Sequence, residues 1–167
     1  GWGNNHLVLL AKNYQGYKNL MKLVTAGYLE GFYYRPRIDI DLLKEFNEGL
    51  ICLSGCLKGE LPEKMLKGDF EGAKKTAIMY SQIFNDRYYL EIQNHGIPEE
   101  EANIANMKKL SSELGLPLVC TNDAHYARQN HWEAHDIHIC LGTGKERSDQ
   151  NRLRYATPEF YFKSEDQ

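Results

Sequence analysis

The residues best suited to metal chemistry in this sequence follow short apolar runs. Asp123 and His125 come directly after LPLVC, within TNDAHY, and Cys56 ends the run LICLSGC. If the strand continues through Asp123 and His125, residues two apart point to the same face, so the carboxylate and the imidazole converge. Carboxylate, imidazole and thiolate groups are ligands of zinc and related metals. The competing structural explanations are a strand-end turn for the Asp–His pair and a small buried side chain for Cys56.

Three further residues are candidates because they lie near the same apolar runs. In parallel α/β folds, functional side chains gather where strands end and loops begin. His95 follows the run YYLEIQ and Glu91 lies within it, which makes both candidate lining residues of a cleft. His6 precedes its run instead of following it, so its position relative to the others is open. A lone histidine is often only structural.

The segment HWEAHDIH places His131, His135 and His138 on one helical face. Because Glu133 stands in the middle, the segment lacks the H-E-x-x-H order of zinc proteases. A helix face near the site is the simpler interpretation, with His135 as a candidate support for a metal ligand.

Aromatic and basic residues are mixed in two segments, as they are in contacts with nucleic acid. FYYRPR contributes Arg35 and Arg37, and NRLRYATPEF contributes Arg152 and Arg154, as candidate DNA contacts. Surface charge and a proline-braced turn explain the first segment equally well. The net charge of −3 argues against strong electrostatic binding of a phosphate backbone by this chain as a whole.

Four nearly continuous apolar runs predict the strands that position these residues. They are HLVLLA from His6, LICLSGC from Leu50, YYLEIQ from Tyr88 and LPLVCTND from Leu116. Strands that are apolar on both faces are typical of a parallel sheet covered by helices. The alternation of strands and helices predicts an α/β fold with right-handed crossovers and flanking helices. A closed barrel of this kind has about eight strands and about 250 residues, so we expect an incomplete one.

Helical patterns fill the gaps between the runs. A first helix is predicted from an apolar stripe formed by Tyr17, Leu20, Met21, Val24 and Tyr28. A second helix is predicted from about Asp69, as its N-cap, to near Phe84. A third is predicted to begin at Pro98, with an acidic first turn, and to end before Gly115.

The composition predicts a soluble, cytoplasmic, globular protein. The hydrophobic content of 42% and the charged content of 26% are ordinary, so disorder, fibrous repeats and coiled coils fit poorly. No apolar run approaches the roughly 20 residues of a membrane-spanning helix, and no leader-like segment opens the chain. The four cysteines lack C-x-x-C spacing, which argues against a ribbon or finger zinc site. Cys52 and Cys120 are predicted to be buried thiols.

Five segments carry a family resemblance. They are HLVLLAKNYQGYKNLMKLVTAGYLEGFYYRPRID, LICLSGCLKGELP, YYLEIQNHGIP, LPLVCTNDAHY and EAHDIHICLGTGK. In this order, and almost end to end, they resemble the PHP domain of the alpha subunit of bacterial DNA polymerase III, the C-family replicative polymerase. The resemblance implies a distorted (β/α)-type barrel, of which this chain would be an incomplete part.

The resemblance also implies a metal centre. By motif, His6 matches the histidine that opens the family's HLxLLAKN segment, and Cys56 matches the cysteine of its SGC. Asp123 and His125 match its NDxH motif. These four residues would be ligands of divalent metal ions, with zinc, manganese or iron suited to the ligand types. Adjacent metals can activate a water molecule and stabilise the leaving oxygen of a phosphoester, so the implied activity is a metal-dependent 3′–5′ exonuclease used in proofreading.

The resemblance further predicts the domain organisation. Residues 1–141 would be a partial PHP domain that lacks its N-terminal strands. Residues 142–167 would be a linker and the start of the segment that enters the polymerase palm domain. The polymerase catalytic site and its magnesium would lie outside this chain. The parent protein would bind DNA, deoxynucleoside triphosphates and other replicase subunits, including an exonuclease subunit in some relatives.

Two alternatives stay open at this point. One is a free-standing PHP phosphoesterase of the histidinol-phosphatase kind, and the other is a non-catalytic PHP scaffold that docks a separate exonuclease. Whether the polymerase PHP domain is an exonuclease or a scaffold, the chain would be a fragment with part of the ligand set. We therefore expect the isolated chain to be inactive as a nuclease. Exposed strand edges in an incomplete barrel would favour pairing with a second chain.

Overall fold

The computed structural model describes residues 4–167, so the first three residues of the predicted partial domain lie outside the described residues. The strands are β1 (Val8–Ala11), β2 (Leu50–Leu53), β3 (Tyr88–Ile92) and β4 (Leu118–Cys120). The helices are α1 (Tyr14–Leu29), α2 (Ile40–Glu45), α3 (Glu60–Leu66), α4 (Phe70–Phe84), α5 (Pro98–Leu114) and α6 (Trp132–Thr143). Short 3-10 turns span Asn85–Arg87 and Gln129–His131.

The four strands form one sheet in the order β1-β2-β3-β4. The α/β class and the four predicted strands are confirmed, and within residues 4–167 the sheet does not close into a barrel. Strands β2, β3 and β4 are parallel, as predicted. Strand β1 is antiparallel to β2, with Val8 opposite Leu53 and Ala11 opposite Leu50, so the prediction of a fully parallel sheet is wrong for β1.

The path between β1 and β2 explains the reversal. A single crossover helix would return the chain to the end of the sheet where β1 begins, and β2 would then run parallel to β1. Here the chain leaves along α1 and returns through residues 30–49, which include α2. Strand β2 therefore begins beside the end of β1, where the Lys12 amide donates to the Gly49 carbonyl over 2.8 Å.

Helix α1 approaches the sheet through small residues. Its N-cap Asn13 accepts a hydrogen bond from the Gly16 amide. A Cβ atom on Gly16 would lie 1.9 Å from the Gly49 carbonyl oxygen, so only glycine permits this contact. From Gly16 the buried face of the helix continues through Asn19, Leu23 and Gly27, about one residue per turn.

The predicted apolar stripe of α1 is therefore not its buried face. Tyr17, Met21, Val24 and Tyr28 are each about half exposed, and only Leu20 of the five packs against the core. The physical reason is that close backbone approach requires small side chains on the inner face. The large apolar residues are thereby turned outward.

The core lies between β2, β3 and helices α3, α4 and α5. Its fully buried side chains include Leu50, Phe84, Tyr88, Leu90, Met107 and Leu110. The predicted ends of α4 and α5 are confirmed, because Asp69 accepts a hydrogen bond from the Gly72 amide and Gly115 ends α5 with a φ of +65°. Cys52 is buried as predicted, but Cys120 is exposed because β4 is an edge strand.

After α6 the described chain contains no further helix or extended strand. A parallel bridge between Tyr126 and Tyr161 nevertheless ties this final segment to the loop that follows β4. The boundary between residues 141 and 142 stays a prediction, and α6 itself ends at Thr143. No helix within residues 4–167 is both long and apolar enough to cross a membrane.

Candidate metal centre

His6 and Cys56 meet at one end of the sheet. Because β1 runs antiparallel to β2, the residue that precedes β1 lies beside the residues that follow β2. The His6 amide donates to the Lys58 carbonyl over 2.9 Å. The His6 Nδ1 atom lies 3.6 Å from the Cys56 Sγ atom. The position of His6, which its place in the sequence left open, is thus at the same rim as the other candidates.

Gly55 permits this approach. Its φ is +86°, a left-handed conformation that favours glycine. A Cβ atom at this position would lie 2.6 Å from the His6 carbonyl oxygen. The sequence Ser-Gly-Cys therefore turns sharply at the end of β2 and leaves room for the backbone of His6 beside the thiol.

The separation of these two side chains fits a shared metal ion. With zinc bonds of about 2.0 Å to nitrogen and about 2.3 Å to sulfur, two ligands of one tetrahedral ion lie about 3.5 to 3.6 Å apart. The observed 3.6 Å between Nδ1 and Sγ matches this value. The same separation also suits a hydrogen bond between the thiol and the imidazole.

Asp123 and His125 form a second pair, at the end of β4. Their convergence does not arise from strand alternation as predicted, because β4 ends at Cys120 and a turn follows. The His125 Nδ1 atom lies 2.8 Å from the Asp123 backbone oxygen and 3.9 Å from its carboxylate Oδ1. A carbonyl oxygen can only accept, so Nδ1 carries the proton and donates. In the neutral imidazole this tautomer leaves the lone pair of Nε2 free to bind a metal ion, the usual arrangement of a metal-ligating histidine.

The C-terminal segment holds this loop. The His125 amide donates to the Phe160 carbonyl over 2.7 Å, and the Asn122 side chain donates to the Tyr161 carbonyl over 2.6 Å. The Tyr155 ring lies 4.7 Å from the His125 ring. Burial raises the pKa of Tyr155, and the nearby charge of Asp123 raises it further. No local sequence pattern indicates these contacts, because residues thirty or more positions apart make them.

Glu91 lies between the two pairs, on the central strand β3. It is 4% exposed, and its Oε2 atom accepts the Gly55 amide hydrogen over 3.0 Å. Its Oε1 atom accepts a hydrogen bond from the Thr121 hydroxyl. One buried carboxylate thus links the turn before Cys56 to the loop that carries Asp123.

His95 lies behind the site and is fully buried. Its Nδ1 atom is 2.7 Å from Glu100 Oε1, and its ring stacks on the Phe160 ring with centroids 4.2 Å apart. The His95 Nε2 atom is buried without a hydrogen-bond partner within residues 4–167. His95 therefore contacts the same phenylalanine whose carbonyl binds the His125 amide. Sequence reasoning missed Glu100 and Phe160.

His135 lies on the α6 face next to the second pair. Its ring is 5.8 Å from that of His125 and 5.2 Å from that of Tyr155. Burial lowers the pKa of His135, and the proximity of His125 and His138 lowers it further. The predicted helical face is shorter than expected, because α6 begins at Trp132 and His131 precedes it.

The candidate DNA-binding arginines occupy two separate places. Arg37 donates to the Asn4 side chain and lies over the Tyr33 ring, near the exposed Arg35. Arg152 is pinned to Asp136 by two hydrogen bonds, while Arg154 is exposed on the wall of a cavity beside α6. Sequence reasoning missed Asp136, which lay within the histidine-rich segment.

The four predicted ligands form two pairs, not one cluster. Among residues 4–167, no group of three or more His, Cys, Asp or Glu side chains is arranged to hold a metal ion. The pairs follow β2 and β4, which are separated by β3, so their strands lie about 10 Å apart. Each pair offers two donors, and a complete site at either one needs further ligands.

Comparison with known proteins shows the family. The family model described as the PHP domain matches residues 3–95, more than half of the chain. The chain belongs to the PHP domain family. The matched part of the PHP domain contains His6 and Cys56, whereas Asp123 and His125 follow it. PHP domains generally use divalent metal ions, which agrees with the donor types of both pairs.

Individual relatives extend the similarity to nearly the whole chain. The chain is 49% identical over 162 residues to the DNA polymerase III subunit alpha of Borreliella burgdorferi. The alignment covers 97% of this chain and 14% of the relative. The chain is 50% identical over 160 residues to the subunit of the same name from Treponema pallidum, covering 95% of this chain and 14% of the relative. The identity to the Thermus aquaticus subunit is 41% over 162 residues, 97% of this chain and 13% of that relative. The PHP chain thus spans about one seventh of the length of these relatives.

Proposed function

We propose that this PHP chain is part of a bacterial DNA polymerase III alpha subunit and helps to bind divalent metal ions that hydrolyse a phosphoester. The observation that carries the metal assignment is the 3.6 Å separation between His6 Nδ1 and Cys56 Sγ, which matches two ligands of one ion. The similarity to named alpha subunits over 95–97% of the chain supports the polymerase assignment.

Both pairs suit zinc, but the second pair also suits harder metal ions. The imidazole and thiolate of His6 and Cys56 suit zinc, whereas the carboxylate and imidazole of Asp123 and His125 suit zinc, manganese or iron. When bound, such ions supply a nucleophilic water and neutralise charge on a phosphate. The residues of the chain orient the ligands. Glu91 fixes the two loops, and the Asp123 carbonyl fixes the tautomer of His125. The reaction we propose is 3′–5′ cleavage of DNA.

In this proposal residues 1–141 form the partial PHP domain, and residues 142–167 lead into the polymerase palm. The polymerase site and its magnesium lie elsewhere in the subunit, which acts on DNA and deoxynucleoside triphosphates in the cytoplasm together with other replicase subunits. One observation favours a second candidate, a non-catalytic PHP scaffold that docks an exonuclease subunit. No three potential ligands converge within residues 4–167.

Metal analysis of the full-length polymerase subunit separates the two candidates. Elemental analysis after dialysis should find bound zinc, manganese or iron in the parent protein. Asp123→Asn should lose part of this metal together with 3′–5′ exonuclease activity on single-stranded DNA. The matched control is Asp86→Asn, an exposed carboxylate in the turn after α4. A full-length subunit that stays free of these metals would refute the metal-centre proposal and favour the scaffold.

The 167-residue chain by itself should not cleave DNA, because its two pairs are incomplete sites. Robust metal-dependent 3′–5′ cleavage by this chain alone would contradict the proposal. The open edges β1 and β4 also predict self-association of the isolated chain. Light scattering that finds a monomer at high concentration would count against that pairing.

A further inference from the structure

A cavity of about 380 Å³ lies beside the second candidate ligand pair, between α6 and the segment that follows it. Its wall includes three arginines and three large aromatic side chains, namely Arg147, Arg152, Arg154, Tyr126, Trp132 and Tyr155. The Tyr155 ring is also 4.7 Å from the His125 ring. A molecule bound in the cavity would therefore lie next to the Asp123–His125 pair.

The wall of the cavity is positively charged. Asp136 is the only acidic residue among the side chains of residues 4–167 that line it. Arg152 donates to both oxygens of Asp136, over 2.6 and 2.8 Å, and the Arg147 Nε atom lies 3.4 Å from Asp136 Oδ2. Arg154 makes no hydrogen bond within the described chain. Three guanidinium groups against one carboxylate leave two positive charges, although the chain carries a net charge of −3.

Arg152 has the most buried side chain of the three arginines. This side chain is only 4% exposed, and it makes two hydrogen bonds with Asp136. Arg147 also lies against Asp136, whereas Arg154 forms no ion pair within residues 4–167. A guanidinium group matches the geometry of phosphate oxygens, and exposed aromatic faces stack on nucleic-acid bases. The volume of the cavity is in the range of small-molecule sites.

We propose that this cavity binds the terminal nucleotide of a single DNA strand. Arg147 and Arg154 contact its phosphate, and its base packs against Trp132 or Tyr155. The adjoining phosphodiester bond then lies beside Asp123 and His125. That the ligand is DNA rests on the proposed function, whereas the cavity and its charge are independent of the metal centre.

The test is a binding measurement without metal, so that it does not depend on the metal centre. Fluorescence anisotropy of a labelled short oligothymidylate is titrated with the chain in EDTA, over a series of salt concentrations. Arg154→Gln should weaken binding about 3- to 10-fold. It should also make the fall of log affinity with log salt less steep by about 0.7, the value for one single-strand phosphate contact. Lys75→Gln is the matched control, because it removes an exposed positive charge on α4 that does not line the cavity.

Wild-type affinity in Arg154→Gln, or an equal loss in Lys75→Gln, would overturn the assignment of the cavity. Arg154 is exposed and makes no hydrogen bond in the described chain, so its variant should fold normally, as circular dichroism can verify. Trp132 is one of two tryptophans, so its emission can be isolated in a Trp2→Phe variant. Thymidine monophosphate should quench it. The assignment of a nucleotide would be overturned if inorganic phosphate displaced the oligonucleotide as well as thymidine monophosphate does, and if thymidine monophosphate did not quench the Trp132 emission.

Discussion

Gly55 allows the His6 backbone to pass beside Cys56, and replacing it with alanine tests this packing. The residue has a φ of +86°, and an added Cβ would stand 2.6 Å from the His6 carbonyl oxygen. Gly68, just after α3, offers a matched control. Its φ is +79°, but an added Cβ would meet no atom within 4 Å.

The two substitutions share one cost and differ in another. An alanine held in a left-handed conformation costs about 1–2 kcal/mol in either place. Alanine also restricts the unfolded chain more than glycine does, which raises stability. This gain is the same in both variants and cancels in the comparison. The close contact with His6 adds about 1–3 kcal/mol, because the backbone must move to relieve it. We therefore expect Gly55→Ala to lose about 2–5 kcal/mol and Gly68→Ala about 1–2 kcal/mol.

Urea unfolding of the two variants measures the difference in the free energy of unfolding. In the full-length subunit, titration with cobalt(II) should show a thiolate absorption band from Cys56, which Cys56→Ser removes. Gly55→Ala should weaken cobalt binding about 10- to 100-fold by separating His6 from the thiol. Equal losses of stability in Gly55→Ala and Gly68→Ala, or an unchanged cobalt affinity, would contradict the close packing of His6 against Gly55.

Three further predictions concern other parts of the structure. Leu23→Ala should lower the free energy of unfolding by about 2–5 kcal/mol. Val24→Ala, on the exposed side of the same helix, should change it by less than about 0.5 kcal/mol; equal losses in urea would contradict the packing of α1. The hydrogen bonds from Arg152 hold the pKa of Asp136 below its ordinary value of 3.8, so the folded chain binds fewer protons there than the unfolded chain. This stabilisation is fully present above the unfolded value and is lost as the pH falls through the lowered folded value. Asp136→Asn should flatten that acid dependence in unfolding experiments at successive pH values, and an unchanged pH profile would argue against the ion pair. Glu91→Gln puts amide donors in place of a buried acceptor and should cost about 1–3 kcal/mol in thermal unfolding. A melting temperature equal to that of the wild type would contradict the linking role of this carboxylate.

Much of the fold was predictable because local patterns decide it. The apolar runs specify the strands, and Asp69 and Gly115 mark helix ends through their own backbone preferences. The buried face of α1 was not predictable from hydrophobicity. There, the contact between Gly16 and Gly49 selects small residues, and large apolar residues are left on the surface. An apolar stripe reports which face is apolar, not which face has room to approach a neighbour.

The candidate site was predictable in its residue types but not in its assembly. The positions of Asp123 and His125 after an apolar run indicated a strand end, yet a turn brings them together instead of the strand itself. Their support by Phe160 depends on the return of a distant segment, which no local pattern encodes. The direction of β1 likewise depends on the length and path of the connection to β2.

The reversed direction of β1 decides whether His6 and Cys56 can bind the same metal ion. In a parallel pair, His6 would lie at the far end of a four-residue strand, about 13 Å from Cys56. In the antiparallel pair its imidazole reaches the thiol, and the two ligand pairs flank Glu91. Because this single buried carboxylate binds both loops, displacement of one loop shifts the acceptor that holds the other. Substitution of Glu91 should therefore weaken metal binding at both pairs in the full-length subunit, and a loss at only one pair would contradict its linking role.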